Sequence, residues 1–124
     1  MIATPIRCNQ FDVELPLPPS LNNAYANHKG GRHKTASYAR WQADALEKIL
    51  TSVPQAKRIG GAVNVSILLP ERMRGDIDNR IKPILDALVA SKRIDDDRNV
   101  VSVSAAKKLL GLGMAFVSVT GAAA

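Results

Sequence analysis

The spacing of apolar residues changes along this chain, and that change limits the possible folds more than any other feature. In residues 11–17 and 62–70 apolar and polar side chains alternate, which is the period of a half-buried strand. Residues 35–52 and 78–93 instead carry apolar side chains three and four positions apart, which is typical of a helix with one buried face. The sequence therefore predicts strands and amphipathic helices in alternation.

The last part of the chain adds two more predicted strands. Residues 100–108 and 113–121 have strand composition and are separated by a loop that contains Gly111, so they are predicted to pair as a terminal hairpin. The predicted order is β-α-β-α-β-β. This order is typical of an α+β domain in which two helices pack on one face of a small mixed sheet.

The helix boundaries follow from local signals. The first helix is predicted to begin near Thr35 or Ser37 and to end around Ser52, because a proline follows closely. The second is predicted to begin at Asp78 or Asn79, both good N-cap residues. Its predicted apolar stripe consists of Ile81, Ile84, Leu85, Leu88 and Val89.

The size and composition of the chain predict a small cytosolic protein. A length of 124 residues leaves room for one domain, so residues 1–124 are predicted to form a single domain. The one cysteine, Cys8, has no partner for an intramolecular disulfide, which fits a reducing cytoplasm. The sequence shows neither the apolar run of a signal peptide nor a stretch long enough to span a bilayer, so no membrane partner is expected.

The charges are unevenly distributed. The net charge is +6, from 17 Lys and Arg against 11 Asp and Glu, which favours binding to a polyanion such as nucleic acid. Carboxylates repel phosphate, so an acidic cluster in a basic protein suggests a cation that bridges the two. Six of the eleven acids fall in one short stretch: Asp76, Asp78, Asp86, Asp95, Asp96 and Asp97.

The pair Asp76 and Asp78 is a candidate cation site. If the backbone is extended there, residues two apart point the same way, and two carboxylates suit a hard cation such as Mg²⁺ or Mn²⁺. Taken alone, a D-x-D pair is more often a solvated loop or a helix cap. A calcium loop is excluded at Asp76, because the sixth and twelfth positions are Ile81 and Ala87 instead of glycine and glutamate.

Five basic residues are candidate contacts to DNA. The segment from Pro18 to Thr35, rich in proline, asparagine and glycine, is predicted to be a loop, and its basic residues have no acid nearby. An ordinary solvated loop is the alternative. Two arginines near the acidic pair either bind phosphates of a nucleic acid beside this pair or offset the repulsion between its carboxylates. The five candidates are Lys29, Arg32, Lys34, Arg72 and Arg74.

The order of these motifs resembles one known family. Residues 76–88 read DIDNRIKPILDAL, residues 96–100 read DDRNV, and residues 18–23 read PPSLNN. A D-x-D-N motif, a lysine four residues on, L-D-A-L, and a later D-D-x-x-V recur in this order in the RusA-like crossover-junction endodeoxyribonucleases. The resemblance covers roughly the full chain and implies the RusA-like fold.

The resemblance also implies a site and an activity. The implied metal ligands are Asp76, Asp78 and Asp97, with catalytic support from Lys82 and with Mg²⁺ or Mn²⁺ as cofactor. The third ligand is open between Asp96 and Asp97, and Asp97 is preferred because it keeps the D-D-x-x-V spacing. The implied protein is a homodimer that acts on four-way DNA junctions.

The expected reaction is symmetric paired cleavage of the Holliday junction in DNA recombination and repair. No His, Ser or Cys arrangement in the sequence offers a competing nucleophile, so water is the expected attacking group. Two other functions remain open. One is a nuclease of the same chemistry that prefers flaps, other branched DNA or duplex, and the other is a catalytically silent DNA-binding dimer.

Overall fold

A computed structural model describes residues 9–20, 25–28, 31–108 and 113–122, and for residues 25–28 and 31–34 we describe the backbone alone. Its strands and helices, in chain order, are β1 (Gln10–Pro16), β2 (Tyr25–His28), β3 (Gly31–Lys34), α1 (Ala36–Ser52), β4 (Val63–Pro70), α2 (Asp78–Ala90), β5 (Val100–Lys108) and β6 (Met114–Gly121).

The main sheet has four strands in the order β1-β6-β4-β5. Strand β4 pairs parallel with β5 and antiparallel with β6, and β1 pairs antiparallel with β6. The sheet is therefore mixed, as predicted. Strands β5 and β6 lie on opposite sides of β4, so the predicted terminal hairpin is wrong.

Apolar content explains why β5 and β6 do not pair with each other. Inward side chains of β6, including Val117 and Val119, are buried, and so are those of β4. Side chains of β5 are mostly exposed, with Val101 59% exposed. The more apolar strands take the positions with neighbours on both sides, and β5 takes an edge.

The structure also differs from the prediction in the segment from Pro18 to Thr35, which is not a loop throughout. Strands β2 and β3 form a separate two-stranded sheet in which Tyr25 pairs with Lys34 and His28 pairs with Gly31. Two residues separate His28 and Gly31 in the sequence, which is the commonest length of a hairpin connection. Sequence reasoning missed these strands because they show no alternating apolar pattern.

Both helices contribute to one apolar core on a single face of the main sheet. Helix α1 begins after Thr35, whose hydroxyl accepts a hydrogen bond from the Tyr38 backbone N–H at 3.3 Å. The indole N–H of Trp41 donates to the Pro16 carbonyl at 2.7 Å and ties α1 to the end of β1. In the part of the chain that the structure describes, neither helix is long and apolar enough to cross a membrane.

Helix α2 begins one residue earlier than a cap at Asp78 would require. Ile77 is the N-cap residue and already has helical angles, so Asp78 lies in the first turn. The buried face of α2 is shifted from the predicted stripe: Pro83 and Ala87 are buried, whereas Ile81 is half-buried. The prediction of a helix with one apolar face is confirmed.

Candidate active site

The 71–77 loop connects β4 to α2 and carries the first acidic residues. Its Met73 side chain is buried in the core, which anchors the middle of the loop. Gly75 has φ +92°, a left-handed conformation that favours glycine. Met73 thus anchors the loop between its two exposed arginines, and the turn at Gly75 leads the chain to Asp76 at the start of α2.

Asp76 and Asp78 are exposed, and their carboxylates have no ion pair or hydrogen bond among the described residues. The extended backbone that would aim both carboxylates in one direction is not present, because Ile77 is helical with φ −57° and ψ −45°. Both residues instead lie at the N-terminal end of α2, where the helix dipole favours negative charge. Two carboxylates that pair with no cation in the described part of the chain therefore lie at this end.

Lys82 joins α2 to the second acidic segment. Its ammonium Nζ lies 2.9 Å from Asp86 Oδ1 on the same helix and 3.4 Å from Asp97 Oδ2, fifteen residues along the chain. The hydrogen bond to Asp86, ahead of the contact with Asp97, raises the pKa of Lys82, so the ammonium stays charged at neutral pH. Lys82 and Asp86 are four residues apart in the sequence, a spacing that predicts an ion pair on a helix, and the structure confirms that pair.

Two of the three aspartates in the acidic run at 95–97 have structural partners. Asp95 Oδ1 lies 2.5 Å from Arg58 Nη2, which ties the run to the segment before β4. Asp96 caps the short 3₁₀ turn Asp97–Asn99 and accepts the Arg98 backbone N–H at 3.0 Å. That hydrogen bond lowers the pKa of Asp96.

Asp97 is the member of this run that contacts α2. Its only ion-pair partner among the described residues is Lys82, and half of its side-chain surface remains accessible. This contact brings together two motifs that are separated in sequence. The assignment of Asp97 as the third metal ligand stays a prediction, but Asp95 and Asp96 are engaged elsewhere.

The residues present fit a hard cation in chemistry but are not gathered into a three-carboxylate set. Among the residues that the structure describes, no three His, Cys, Asp or Glu side chains lie close enough together to hold a metal ion. Carboxylate oxygens are the ligands that Mg²⁺ prefers, and it often uses only one or two of them together with water and phosphate oxygens. The free pair Asp76 and Asp78 meets that requirement.

The predicted DNA contacts divide into two groups. Arg72 and Arg74 are exposed in the 71–77 loop, directly before Asp76. Arg32 and Lys34 lie on β3, and their side chains are outside the described part, as is all of Lys29. The structure therefore locates the loop arginines beside the acidic site, and contacts from the other three basic residues stay a prediction.

Sequence reasoning missed three basic residues around the same loop. The parallel pairing of β4 with β5 sets Leu69 beside Lys107 and Pro70 beside Lys108. Lys107 Nζ lies 3.5 Å from the Gly75 carbonyl oxygen. The two lysines were visible in the sequence, but a terminal hairpin would have paired them with β6 and not with the strand that leads into the site.

The third missed residue is Arg80, which lies between Asp78 and Lys82 in the first turn of α2. Its guanidinium donates one hydrogen bond to the Pro18 carbonyl and another, at 2.7 Å, to the Arg74 carbonyl. Partial burial lowers the pKa of Arg80. The sequence analysis did not single it out, since nothing local indicates that the loop after β1 and the 71–77 loop meet at this residue.

Comparison with known proteins gives one consistent match. A profile of the family described as "Endodeoxyribonuclease RusA" matches residues 16–120. The chain is 33% identical over 103 residues to the crossover junction endodeoxyribonuclease RusA of Escherichia coli (strain K12), a match that covers 80% of this chain and 83% of that relative. Proteins of the same name from Shigella sonnei (strain Ss046) and Enterobacteria phage 82 match with the same identity and coverage. The range matched by the profile contains both acidic segments and Lys82.

Proposed function

Because the chain belongs to the endodeoxyribonuclease RusA family, we propose that it resolves four-way DNA junctions by paired cleavage of phosphodiester bonds, in recombination and repair. The observation that carries the proposal is the contact of Lys82 with Asp97, 3.4 Å apart, which joins the second acidic segment to the helix that begins at Asp78. The residues that the resemblance singles out thus lie at the end of the 71–77 loop, on α2 and on the turn that contacts α2.

The chain's own residues have separate tasks in this reaction. Asp76 and Asp78 would hold Mg²⁺, or Mn²⁺ in its place, through their carboxylate oxygens, and Asp97 is the third ligand that the resemblance implies. When bound, the divalent cation neutralises charge on the phosphate and lowers the pKa of the attacking water. Lys82 contributes a point charge that stabilises the developing negative charge of the phosphate.

Binding of the junction is proposed to depend on the basic residues around the 71–77 loop. Arg72 and Arg74 stand on the loop, and Lys107 and Lys108 end the neighbouring strand. Such a group can hold the backbone phosphates on either side of the bond that is cut. Contacts from Lys29, Arg32 and Lys34 of the β2–β3 segment remain part of the proposal, supported by their charge and by the absence of acids in that stretch.

A homodimer is proposed as the acting form. Symmetric cutting of two strands requires two active sites, and a two-fold dimer supplies them in matched orientation. A chain of 124 residues has a high ratio of surface to core, which favours burial of surface between two copies. Sedimentation should give a molecular mass of twice the 13.3 kDa of the chain. A monomeric mass at protein concentrations that cleave the junction would count against the dimer.

We further propose one catalytic domain over residues 1–124 in the cytoplasm. The two helices and the four-stranded sheet share one continuous core, which supports a single domain. The single cysteine supports a reducing compartment.

The experiment that tests the proposed function compares DNA substrates with and without metal. Purified protein is incubated with end-labelled four-way junction, flap and duplex of matched sequence, each with Mg²⁺ and with EDTA. The expected result is paired symmetric cuts in the junction alone, and only with Mg²⁺. Faster cleavage of the flap or the duplex would mean that the protein is a nuclease with a different DNA substrate. Binding of DNA without any cleavage product, with or without metal, would indicate a catalytically silent DNA-binding protein.

A further inference from the structure

Arg80 connects two segments of backbone that are far apart in the sequence. One η nitrogen donates to the carbonyl of Pro18, which follows β1, and the other donates to the carbonyl of Arg74, which precedes α2. The Nε atom is buried and has no hydrogen-bond partner among the described residues. The guanidinium thus works as a brace between the loop after β1 and the 71–77 loop.

The Arg74 carbonyl, which accepts one of these hydrogen bonds, lies two residues before Asp76. The residue between them, Gly75, has φ +92°, and a Cβ built there would lie 3.7 Å from Arg80 Nη2. Glycine is the residue with the widest choice of backbone angles, so the chain direction at this point is not fixed by the residue itself. The hydrogen bond from Arg80 removes that freedom and sets the path of the backbone into Asp76.

The geometry favours a positional role for Arg80 over a stabilising one. No carboxylate of the described residues pairs with Arg80, although partial burial of an unpaired charge carries a free-energy cost. Arginine offers a rigid planar fork whose separate nitrogens can hold two carbonyl groups in fixed directions, whereas the ammonium of a lysine is a single nitrogen on a flexible stem. The fork is also located on the same helical turn as Asp78, so it relates the loop aspartate to the helix aspartate.

We infer that Arg80 is a positioning residue that fixes the Asp76 carboxylate relative to Asp78 and thereby sets the affinity of the site for a divalent cation. This inference rests on the proposed function, because it needs the two aspartates to be metal ligands. Residues that orient metal ligands typically change metal affinity by roughly tenfold to a hundredfold when they are replaced.

The test uses three full-length variants. Arg80→Met keeps the length and apolar stem of the side chain but removes every donor. Arg80→Lys keeps the charge and can reach one of the two carbonyls. Arg40→Ala is the matched control, since Arg40 lies on the same cleft as Arg80 but has no hydrogen bond or ion pair among the described residues. For each protein, Mn²⁺ binding is measured by calorimetry without DNA, junction cleavage is titrated with Mg²⁺, and the melting temperature is recorded.

The expected result is a rise of roughly tenfold or more in the Mn²⁺ dissociation constant, and in the Mg²⁺ concentration for half-maximal cutting, for Arg80→Met. Arg80→Lys should lie between Arg80→Met and the unchanged protein, and Arg40→Ala should match the unchanged protein. At saturating Mg²⁺ the cutting rate of Arg80→Met should recover. A lower melting temperature with unchanged metal affinity would overturn the inference, because Arg80 would then be merely structural.

Three remaining outcomes also decide the question. If Arg80→Met does not fold, Arg80→Lys carries the test, and an unchanged Mn²⁺ affinity in that variant overturns the inference. If the unchanged protein binds Mn²⁺ but cuts no DNA, the proposed function fails, while the Mn²⁺ titrations still judge Arg80. If the unchanged protein binds no Mn²⁺ at all, the inference falls.

Discussion

At the scale of single residues, the site is a set of carboxylates that differ in their partners. Asp95 is held by Arg58 and Asp96 caps a turn, whereas Asp97 reaches Lys82 and Asp78 has no partner among the described residues. The sequence could predict the acidic residues and the Lys82–Asp86 pair, because these depend on short spacings. It could not predict which partner each of Asp95, Asp96 and Asp97 contacts, because these partners lie up to 37 positions away in the sequence.

Lys82→Ala should slow junction cutting by about a hundredfold or more, since the variant lacks the ammonium that stabilises the developing charge of the phosphate. The Lys82 side chain is 52% exposed, so its two ion pairs should contribute only about 1 kcal/mol or less to the free energy of unfolding. Lys82→Arg should rescue the rate in part. Single-turnover cleavage and urea unfolding check both statements, and loss of the fold in Lys82→Ala would make the lysine structural.

The choice between Asp96 and Asp97 can be tested with two asparagine substitutions. Asp97→Asn should abolish cutting, because it removes a carboxylate ligand while keeping the volume of the side chain. Asp96→Asn should leave cutting nearly unchanged, because asparagine caps a turn as well as aspartate does. The measurement is the junction cleavage rate at saturating Mg²⁺. The opposite ranking would move the third ligand to Asp96.

At the scale of secondary-structure elements, the sequence predicted which segments are helices and strands better than how they pair. The alternating pattern of β4 and the helical spacing of α1 and α2 are local signals, and all three elements are confirmed. The pairing of β5 with β4 was missed, because two strands that are close in sequence were expected to pair. The β2–β3 hairpin was missed because backbone pairing there has no accompanying apolar alternation.

The connection between β4 and α2 gives a test at this scale. Gly75→Ala places a side chain at φ +92° and should lower the free energy of unfolding by about 1 kcal/mol or more. Gly60→Ala is the control, because its new Cβ would meet Asp95 Oδ2 at an ordinary 3.5 Å and its φ is not left-handed. Urea denaturation of both variants measures the difference. Equal stability would mean that the loop tolerates another path into Asp76.

At the scale of the whole molecule, a basic surface surrounds an acidic site. The net charge of +6 draws the protein to DNA, and the basic residues beside β4 and β5 concentrate that attraction around the 71–77 loop. The overall α+β architecture and the family were predictable from motif order. The convergence of Lys107 and Arg80 on the 71–77 loop was not predictable, because it depends on strand order and on contacts between distant segments.

Neutralising both loop arginines tests this surface. Arg72→Ala with Arg74→Ala should weaken junction binding and reduce the slope of log affinity against log salt by about 2, because each arginine is expected to neutralise about one phosphate. The preference for junction over duplex should persist, because phosphate contacts carry no information on structure by themselves. Binding titrations between low and moderate salt measure the slope. An unchanged slope would remove the loop from the DNA-binding surface.

The most direct test of the central claim is cleavage of a labelled four-way junction by the unchanged protein and by Asp78→Asn, each with Mg²⁺. The substitution removes one negative charge and almost no volume, so the fold and the binding of DNA should persist. We predict symmetric paired cuts by the unchanged protein, and no cuts by Asp78→Asn, which should still bind the junction at least as tightly. Equal cutting by the two proteins would contradict a metal-dependent site at the start of α2.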